Sequence, residues 1–285
     1  MIVDLREIPA LRAWRAAERA AGRRVAFVPT MGALHEGHLA LGDLAATLAP
    51  TVLMSVFVNP LQFGPGEDFE RYPRDLDRDR ALAAGRGVAA LFVPTAAAMY
   101  PPGAETRVVP GAMAELWEGA QRPGHFAGVL TVVAKLLNLV QPDVAVFGQK
   151  DIQQVCLVRR MVRDLDLPVE IRVGRTVRET DGLALSSRNA YLSSPDRAAA
   201  LSLSRALRAA DLAWRGGEAE ALRLHSIMME QFHMSEGVTV DYIAIVDPDT
   251  LRPVARADHG TIVAVAARVG RTRLLDNHIL GTEFC

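Results

Sequence analysis

The sequence predicts an α/β protein: a parallel sheet with covering helices, followed by a second, smaller domain of helices and strands. Three observations predict it. Short apolar, β-branched runs at 24–28, 51–58 and 88–93 alternate with helix-patterned stretches, which is the signature of a parallel sheet. From about Gly174 the texture changes to a polar, turn-prone segment, then two alanine- and leucine-rich helical stretches and two further strand-like runs. The length of 285 residues, with 50% hydrophobic and 23% charged, is enough for two modest domains with their own cores. The boundary is expected near 174–180, giving domains 1–175 and 176–285.

Taken in order, residues 1–22 read as an amphipathic helix, with Leu11 and Trp14 apolar and arginines between them. The run at 24–28 is a buried strand that hands over, through Pro29-Thr30-Met31-Gly32-Ala33-Leu34-His35-Glu36-Gly37-His38, to a helix marked by Leu39, Leu41, Leu44, Ala45 and Leu48. Residues 51–58 are the clearest strand, and Asn59-Pro60-Leu61-Gln62-Phe63-Gly64-Pro65-Gly66 must be loop. A charged helix is expected over 69–84, a strand over 88–93, and loop over 94–111. A helix over 129–140 ends at Pro142, and a strand over 143–147 empties into Gly148-Gln149-Lys150-Asp151 and a helix to Leu165. A strand over 169–173 completes this part. Beyond the polar segment, helices are expected at 195–214 and 218–231, and strands at 238–246 and 261–267.

Composition excludes several classes. A net charge of −1 gives no whole-chain basic footprint for nucleic acid and no polybasic membrane signal. Two distant cysteines, Cys156 and Cys285, make no disulfide framework and suit a reducing compartment. No window approaches the roughly 20 apolar residues of a membrane span, and the N-terminal stretch is charged, without an apolar signal-peptide core. The expectation is a soluble, cytoplasmic protein.

Four polar clusters fall at strand ends or in the segment after Gly174: His35/His38, Asn59/Gln62, Lys150/Asp151/Gln154 and Ser186/Ser187/Arg188. In parallel sheets, ligands lie outside the carboxyl ends of the strands. Glycines at a strand-to-helix junction let backbone approach a ligand, and a helix start presents unpaired N–H groups and a positive dipole end. His35 and His38, three apart, can project from one side of that turn and hold a phosphate. The alternatives are two surface histidines or a metal pair, although zinc requires three or four protein ligands. Lys150 is either a phosphate cation or a solvated helix-start lysine, and Ser186-Ser187-Arg188 either clamps phosphates or is a hinge loop. Neither a Walker loop, nor Gly-x-Gly-x-x-Gly, nor a Ser-His-Asp order, nor a nucleophile elbow is present. Amides, imidazoles, a lysine and an arginine position a reactant and neutralise phosphate, as nucleotidyl transfer requires.

These strings also carry a resemblance. Pro29-Thr30-Met31-Gly32 followed by His35-Glu36-Gly37-His38 is similar to the His-x-Gly-His motif of class I aminoacyl-tRNA synthetases and other nucleotidyltransferases. The strings 57–63, 71–74 (Arg-Tyr-Pro-Arg), 122–126 (Arg-Pro-Gly-His-Phe) and 147–151 follow in order. Leu183-Ala184-Leu185-Ser186-Ser187-Arg188-Asn189 stands where synthetases carry Lys-Met-Ser-Lys-Ser, and Leu274-Leu275-Asp276-Asn277 lies near the C-terminus. Nearly end to end, the chain resembles the pantoate–β-alanine ligase family.

The resemblance implies a Rossmann-like N-terminal domain, a smaller α+β C-terminal lid domain and a homodimer. It implies that ATP and (R)-pantoate form pantoyl adenylate and pyrophosphate, and that β-alanine then displaces AMP to give pantothenate, with Mg²⁺ on the phosphates. By motif position, His38, His35, Lys150 and Arg188 are catalytic, His38 as proton donor or as charge stabiliser. ATP falls to Met31, Gly32, Ala33, Leu34, His35, Glu36, Gly37, His38, Gly148, Gln149, Lys150, Asp151, Val177, Leu185, Ser186, Ser187 and Arg188. Pantoate falls to Gln62, Gln154 and Asn59, and β-alanine to Gln62. Asp75, Asp77 and Asp79 are alternative Mg²⁺ ligands. One departure is visible: Ser186-Ser187-Arg188 offers one cation where the synthetase loop offers two, so Lys150 carries more of the phosphate charge. The rival readings are a nucleotidyltransferase acting on a phosphate acceptor, and a silent ATP- or AMP-binding module.

Overall fold

The computed structural model describes residues 2–284; Met1, within the expected first helix, and Cys285, one of the two cysteines, lie outside the described residues. The chain divides into two compact units. The first comprises the residues up to Glu115, Gly119–Gly148 and Leu157–Gly174; the second comprises Leu116–Glu118, Gln149–Cys156 and the residues from Arg175 onward.

Among the described residues, the first unit is built on β1 (Val3–Leu5), α1 (Ile8–Ala20), β2 (Val25–Thr30), α2 (Glu36–Leu48), β3 (Thr51–Val56), α3 (Leu76–Gly85), β4 (Ala90–Phe92) and α4 (Ala96–Met99). The short α5 (Glu118–Gln121), then α6 (His125–Val140), β5 (Val144–Gly148), α7 (Ile152–Asp164) and β6 (Glu170–Gly174) follow, with the first residues of α5 and α7 grouped in the second unit. The six strands form one parallel sheet in the order β1-β4-β3-β2-β5-β6. The chain runs outward from β2 through β3 to β4, then returns to β5 on the other side of β2. This reversal leaves a crevice at the carboxyl ends of β2 and β5, the place where such sheets take ligands. The central strands are apolar on both faces because helices cover both: Phe27, Leu53, Leu91 and Phe92 are wholly buried.

The departures from the sequence reading have local causes. β1 lies inside the stretch read as helix; three residues carry little periodicity, and its partner β4 (Val3↔Ala90) is far along the chain. α1 buries Arg15 and Glu18 beside Leu11 at i, i+4 and i+7. Both charges are engaged: Arg15 donates to the Gln141 carbonyl and pairs with Asp143, while Glu18 takes the Arg23 fork at 2.7 and 2.8 Å. α3 starts at Leu76 instead of near 69 because Pro73 has no N–H to donate and restricts Tyr72. Asp75 then caps the helix, accepting from the Arg78 amide. α6 starts at His125, four residues early, after Gly124 turns the chain at φ +82°.

The second unit packs α8 (Ser194–Arg215) and α9 (Ala221–His233) with an antiparallel sheet of β7 (Val238–Val246), β8 (Ile262–Val269) and β9 (Thr272–Ile279), in that order. Leu203, Leu207, Leu224, Met228, Val263 and Val265 form its core. The strand β9 is absent from the sequence reading, because Arg273, Asp276, Asn277 and His278 break the apolar pattern. Tertiary partners engage these side chains. His278 donates through Nε2 to Asp211 at 3.1 Å and lies against Phe284.

Burial pushes the His278 imidazole below its ordinary value, outweighing the opposing pull of Asp211, with Arg215 and Arg178 adding to the depression. The unfolded chain takes up this proton near about pH 6.5 while the native state resists it, so stability falls as pH drops through that value. Thermal melts between about pH 7.5 and 5.5 should show a declining Tm. The decline should be shallower in His278→Gln; an unchanged slope would remove His278 as its cause.

Candidate active site

The junction between β2 and α2 is held by a carboxylate supplied from α3. Asp79, 1% exposed, accepts the Ala33 amide at 2.9 Å and the Leu34 amide at 2.7 Å. Thr30 Oγ1 donates to the Ser55 carbonyl at 2.6 Å and accepts the Gly32 amide at 3.1 Å. The chain turns with φ of +83° at Gly32 and +51° at Ala33. A Cβ at Gly32 would lie 2.8 Å from Val56 and 2.9 Å from Asp79, so glycine is required there. Burial pushes the Asp79 carboxyl above the ordinary carboxylate range, against the downward pull of the Leu34 and Ala33 amides.

This geometry corrects one expectation. Three amides of the junction are not open to a ligand: those of Gly32, Ala33 and Leu34 are taken by Thr30 and Asp79, and His35 caps the helix itself. His35 Nδ1 accepts the Gly37 amide at 3.2 Å, and the His35 carbonyl takes the His38 amide at 2.8 Å. A neutral His35 ring therefore carries its hydrogen on Nε2. The His35 and His38 rings lie 4.1 Å apart between centroids, tilted by 34°. Imidazole edges and the helix dipole are among what this junction offers an anion.

At the end of β3, Asn59 and Gln62 occupy a 3-10 turn, Pro60–Gln62. Asn59 is 1% exposed and fully subscribed: Nδ2 donates to Gln62 Oε1 and the Gly128 carbonyl, both at 3.1 Å, while Oδ1 accepts the Leu61 amide and the Tyr100 hydroxyl. Its role in the structure is to orient Gln62, whose Nε2 lies 3.1 Å from Met31 Sδ. Thus Met31 and Gln62, expected at two different ligands, are neighbours. His125 Nδ1 donates to the Gln62 carbonyl at 2.8 Å, and Arg122 also reaches that carbonyl while pairing with Glu67. Burial alone would raise the Glu67 carboxyl, but Arg122 holds it below its ordinary range. Burial pushes the Tyr100 hydroxyl up to about 12, keeping it a donor to Asn59.

Gly148 ends β5 in the first unit, and the second unit carries the remaining candidates. Gln149–Asp151 is a 3-10 turn leading into α7, with Lys150 Nζ 3.8 Å from Asp151. Gln154, one turn on, is partly exposed. Residues 177–185 fold into a tight hairpin. The Leu185 amide donates to the Val177 carbonyl at 2.9 Å, making these two expected ATP contacts adjacent, and Gly182 turns the chain at φ +94°. Ser186 caps the 3-10 turn Ser187–Tyr191 by accepting the Arg188 amide at 3.3 Å. Asn189 donates to Glu179 and to the Ala184 carbonyl, and Arg197 braces Glu179 and Asp181. Asp79, Gly128, Tyr100, Arg122, His125 and Asn277 escape a residue-by-residue reading as supports, because each acts on a residue distant in sequence.

The three aspartates do not fit a metal cage. Asp75 caps α3, Asp77 pairs with Arg80 at 2.6 Å, and both Asp79 oxygens hold amides. Among the described residues, no three His, Cys, Asp or Glu side chains gather closely enough to hold a metal ion. No helix among them is long and apolar enough to cross a membrane.

Two substitutions probe this scaffold. In Asp79→Asn an amide NH₂ must face one of two N–H donors, which should cost about 2–3 kcal/mol of stability by denaturant unfolding. Gly128→Ala would place a Cβ 2.1 Å from the Leu61 carbonyl oxygen and 2.7 Å from the Gln62 amide, neither a flexible side-chain end. It should lower Tm and displace Gln62. A crystal structure of Gly128→Ala with the 60–62 turn unmoved would contradict this.

Comparison with known proteins agrees with the geometry. The family model for pantoate-beta-alanine ligase matches residues 4–279. A curated pantothenate synthetase of Moorella thermoacetica is 52% identical over 276 residues, 97% of this chain and 98% of that protein. The crystal structure of pantothenate synthetase from Thermus thermophilus superimposes with a TM-score of 0.92 at 50% identity, covering 98% of this chain and 99% of its own. That of pantoate-beta-alanine ligase from Francisella tularensis, complexed with beta-gamma ATP and beta-alanine, gives 0.81 at 32% identity over the whole of both chains. With a family match across nearly its whole length and an α/β parallel sheet that places the expected histidines at its carboxyl edge, the chain belongs to the pantoate–β-alanine ligase family.

Proposed function

We propose that the protein condenses (R)-pantoate with β-alanine in a reaction driven by ATP, releasing AMP and pyrophosphate. The observation that carries this reading is the family match over residues 4–279, reached by a chain that retains both histidines, Gln62, Lys150 and Arg188. In the first step the ionised pantoate carboxylate attacks the α-phosphorus in line; the bond to the β-phosphate oxygen breaks and pyrophosphate leaves. In the second step the β-alanine amine attacks the acyl carbon of the mixed anhydride, AMP leaves with the bonding pair, and the nitrogen loses a proton.

The residues divide by chemistry. His38 and His35 stabilise charge on the phosphates as it moves toward the leaving pyrophosphate. Proton donation by His38 is not required, since the nucleophile is already anionic and pyrophosphate leaves readily. Gln62 and Gln154 bind the pantoate hydroxyls and carboxylate, with Asn59 behind Gln62 instead of against the ligand, and Gln62 also meets β-alanine. Lys150 and Arg188 neutralise phosphate charge, and Met31 to His38, Gly148 to Asp151, Val177 and Leu185 to Ser187 enclose the nucleotide. Mg²⁺ accompanies the ATP phosphates, and no step is assigned to it, because the aspartates that would hold it are otherwise engaged. A cytoplasmic homodimer is the proposed state of the enzyme, on the family resemblance; sedimentation at the dimer mass is the expected result.

Release of pyrophosphate should require ATP, Mg²⁺ and pantoate together, and AMP and pantothenate should form only when β-alanine is added as well. Turnover without pantoate would reject the assignment. His38→Ala and Lys150→Ala should each lower kcat by about 100-fold or more, as expected for loss of an electrostatic stabiliser. Near-normal kcat in either variant would remove that residue's role.

A further inference from the structure

Two adjacent side chains on β9 grip two different segments of the second unit, Asn277 by backbone and Asp276 by a side chain. Asn277, 2% exposed, donates through Nδ2 to the carbonyls of Gln149 at 2.9 Å and Lys150 at 2.8 Å. Its Oδ1 accepts Gln149 Nε2 at 3.4 Å. Asp276 takes the Arg178 guanidinium through both oxygens, at 2.6 and 3.2 Å, and also accepts the Asn277 amide at 2.8 Å. Arg178 Nη1 further donates to the Gly182 carbonyl at 3.3 Å. The chain of contacts therefore runs from the 177–185 hairpin through Arg178, Asp276 and Asn277 to the turn that carries Lys150.

The fold of the sheet does not require these side chains. β9 pairs with β8 through backbone, Val265↔Asp276 and Ala264↔Asn277, and two buried polar residues in a strand are a cost unless fully paired. Nor is the amide exchangeable. One nitrogen supplies two N–H donors to two successive carbonyls, which no carboxylate or single hydroxyl does at that length. A 3-10 turn has too few internal bonds to fix its own side chain, so an external anchor decides where Lys150 points.

We propose that Asn277, backed by Asp276 and Arg178, is a positioning residue for the adenylation step, holding the Lys150 turn at a set place relative to the hairpin that leads to Arg188. This rests on the reading of Lys150 as a phosphate cation. Asn277 acts through Lys150 and touches no substrate.

A double-mutant cycle tests it, with pantoate-dependent pyrophosphate exchange as the readout and Tm measured alongside. Asn277→Asp, which sets two acceptors against two carbonyls, and the milder Asn277→Ser, which keeps one donor, are each made in the native and Lys150→Ala backgrounds. In the native background Asn277→Asp should lower kcat/KM for ATP by about 30-fold and Asn277→Ser by about fivefold. In the Lys150→Ala background the same changes should cost no more than about twofold, since the lysine they place is gone. Equal losses in both backgrounds would overturn the proposal while leaving the role of Lys150 intact. A Lys150→Ala enzyme of normal rate would overturn both, so the two failures are distinguishable. If Asn277→Asp does not fold, Asn277→Ser alone completes the cycle.

Discussion

The buried carboxylate of Asp79 is the constraint on which the β2–α2 junction depends. Its two oxygens take two successive amides from a segment with left-handed backbone at Gly32 and Ala33. Backbone of that kind persists only where its surroundings over-determine it. Here the surroundings are one acid, one threonine and the wall formed by Val56. The same carboxylate occupies the position that an anionic ligand takes in a glycine-rich phosphate loop. The junction consequently turns the amides of Gly32, Ala33 and Leu34 inward, which separates it from Walker-type sites despite a shared strand-to-helix topology.

A second pattern recurs in both units: a buried side-chain amide that binds backbone carbonyls as well as neighbouring side chains. Asn59 fixes the turn that carries Gln62, and Asn277 fixes the turn that carries Lys150. In each case a fully subscribed amide lies beneath a partly exposed ligand-binding candidate. An unpaired buried donor is costly, so such an amide has only one low-energy arrangement and transmits it to the residue above. The Tyr100 hydroxyl works in the same direction, as a donor to Asn59.

Much of the architecture is legible in the sequence. The runs at 51–58 and 238–246 are strands because period and length agree, and the helices at 194–215 and 221–233 fall within a few residues of their periodic patterns. Errors concentrate where a tertiary partner overrides local pattern. β1 is too short to announce itself, and β9 is masked by four polar residues whose partners lie on other elements. The start of α3 is displaced by Pro73, a signal present in the sequence but outweighed by charged periodicity.

The sequence by itself determined the sheet-forming segments, the junction that carries His35 and His38, the polar turns at strand ends and, through its motif strings, the family. These are local or ordered patterns, set by the few residues that make them. Only the tertiary structure decided which of those polar groups face outward and which are consumed as support. Asp79 passed from candidate metal ligand to loop anchor, and Asn59 came to lie beneath Gln62. The reason is physical: a polar side chain's role follows from which backbone donors and acceptors lie within about 3 Å of it, and here those come from residues tens of positions away.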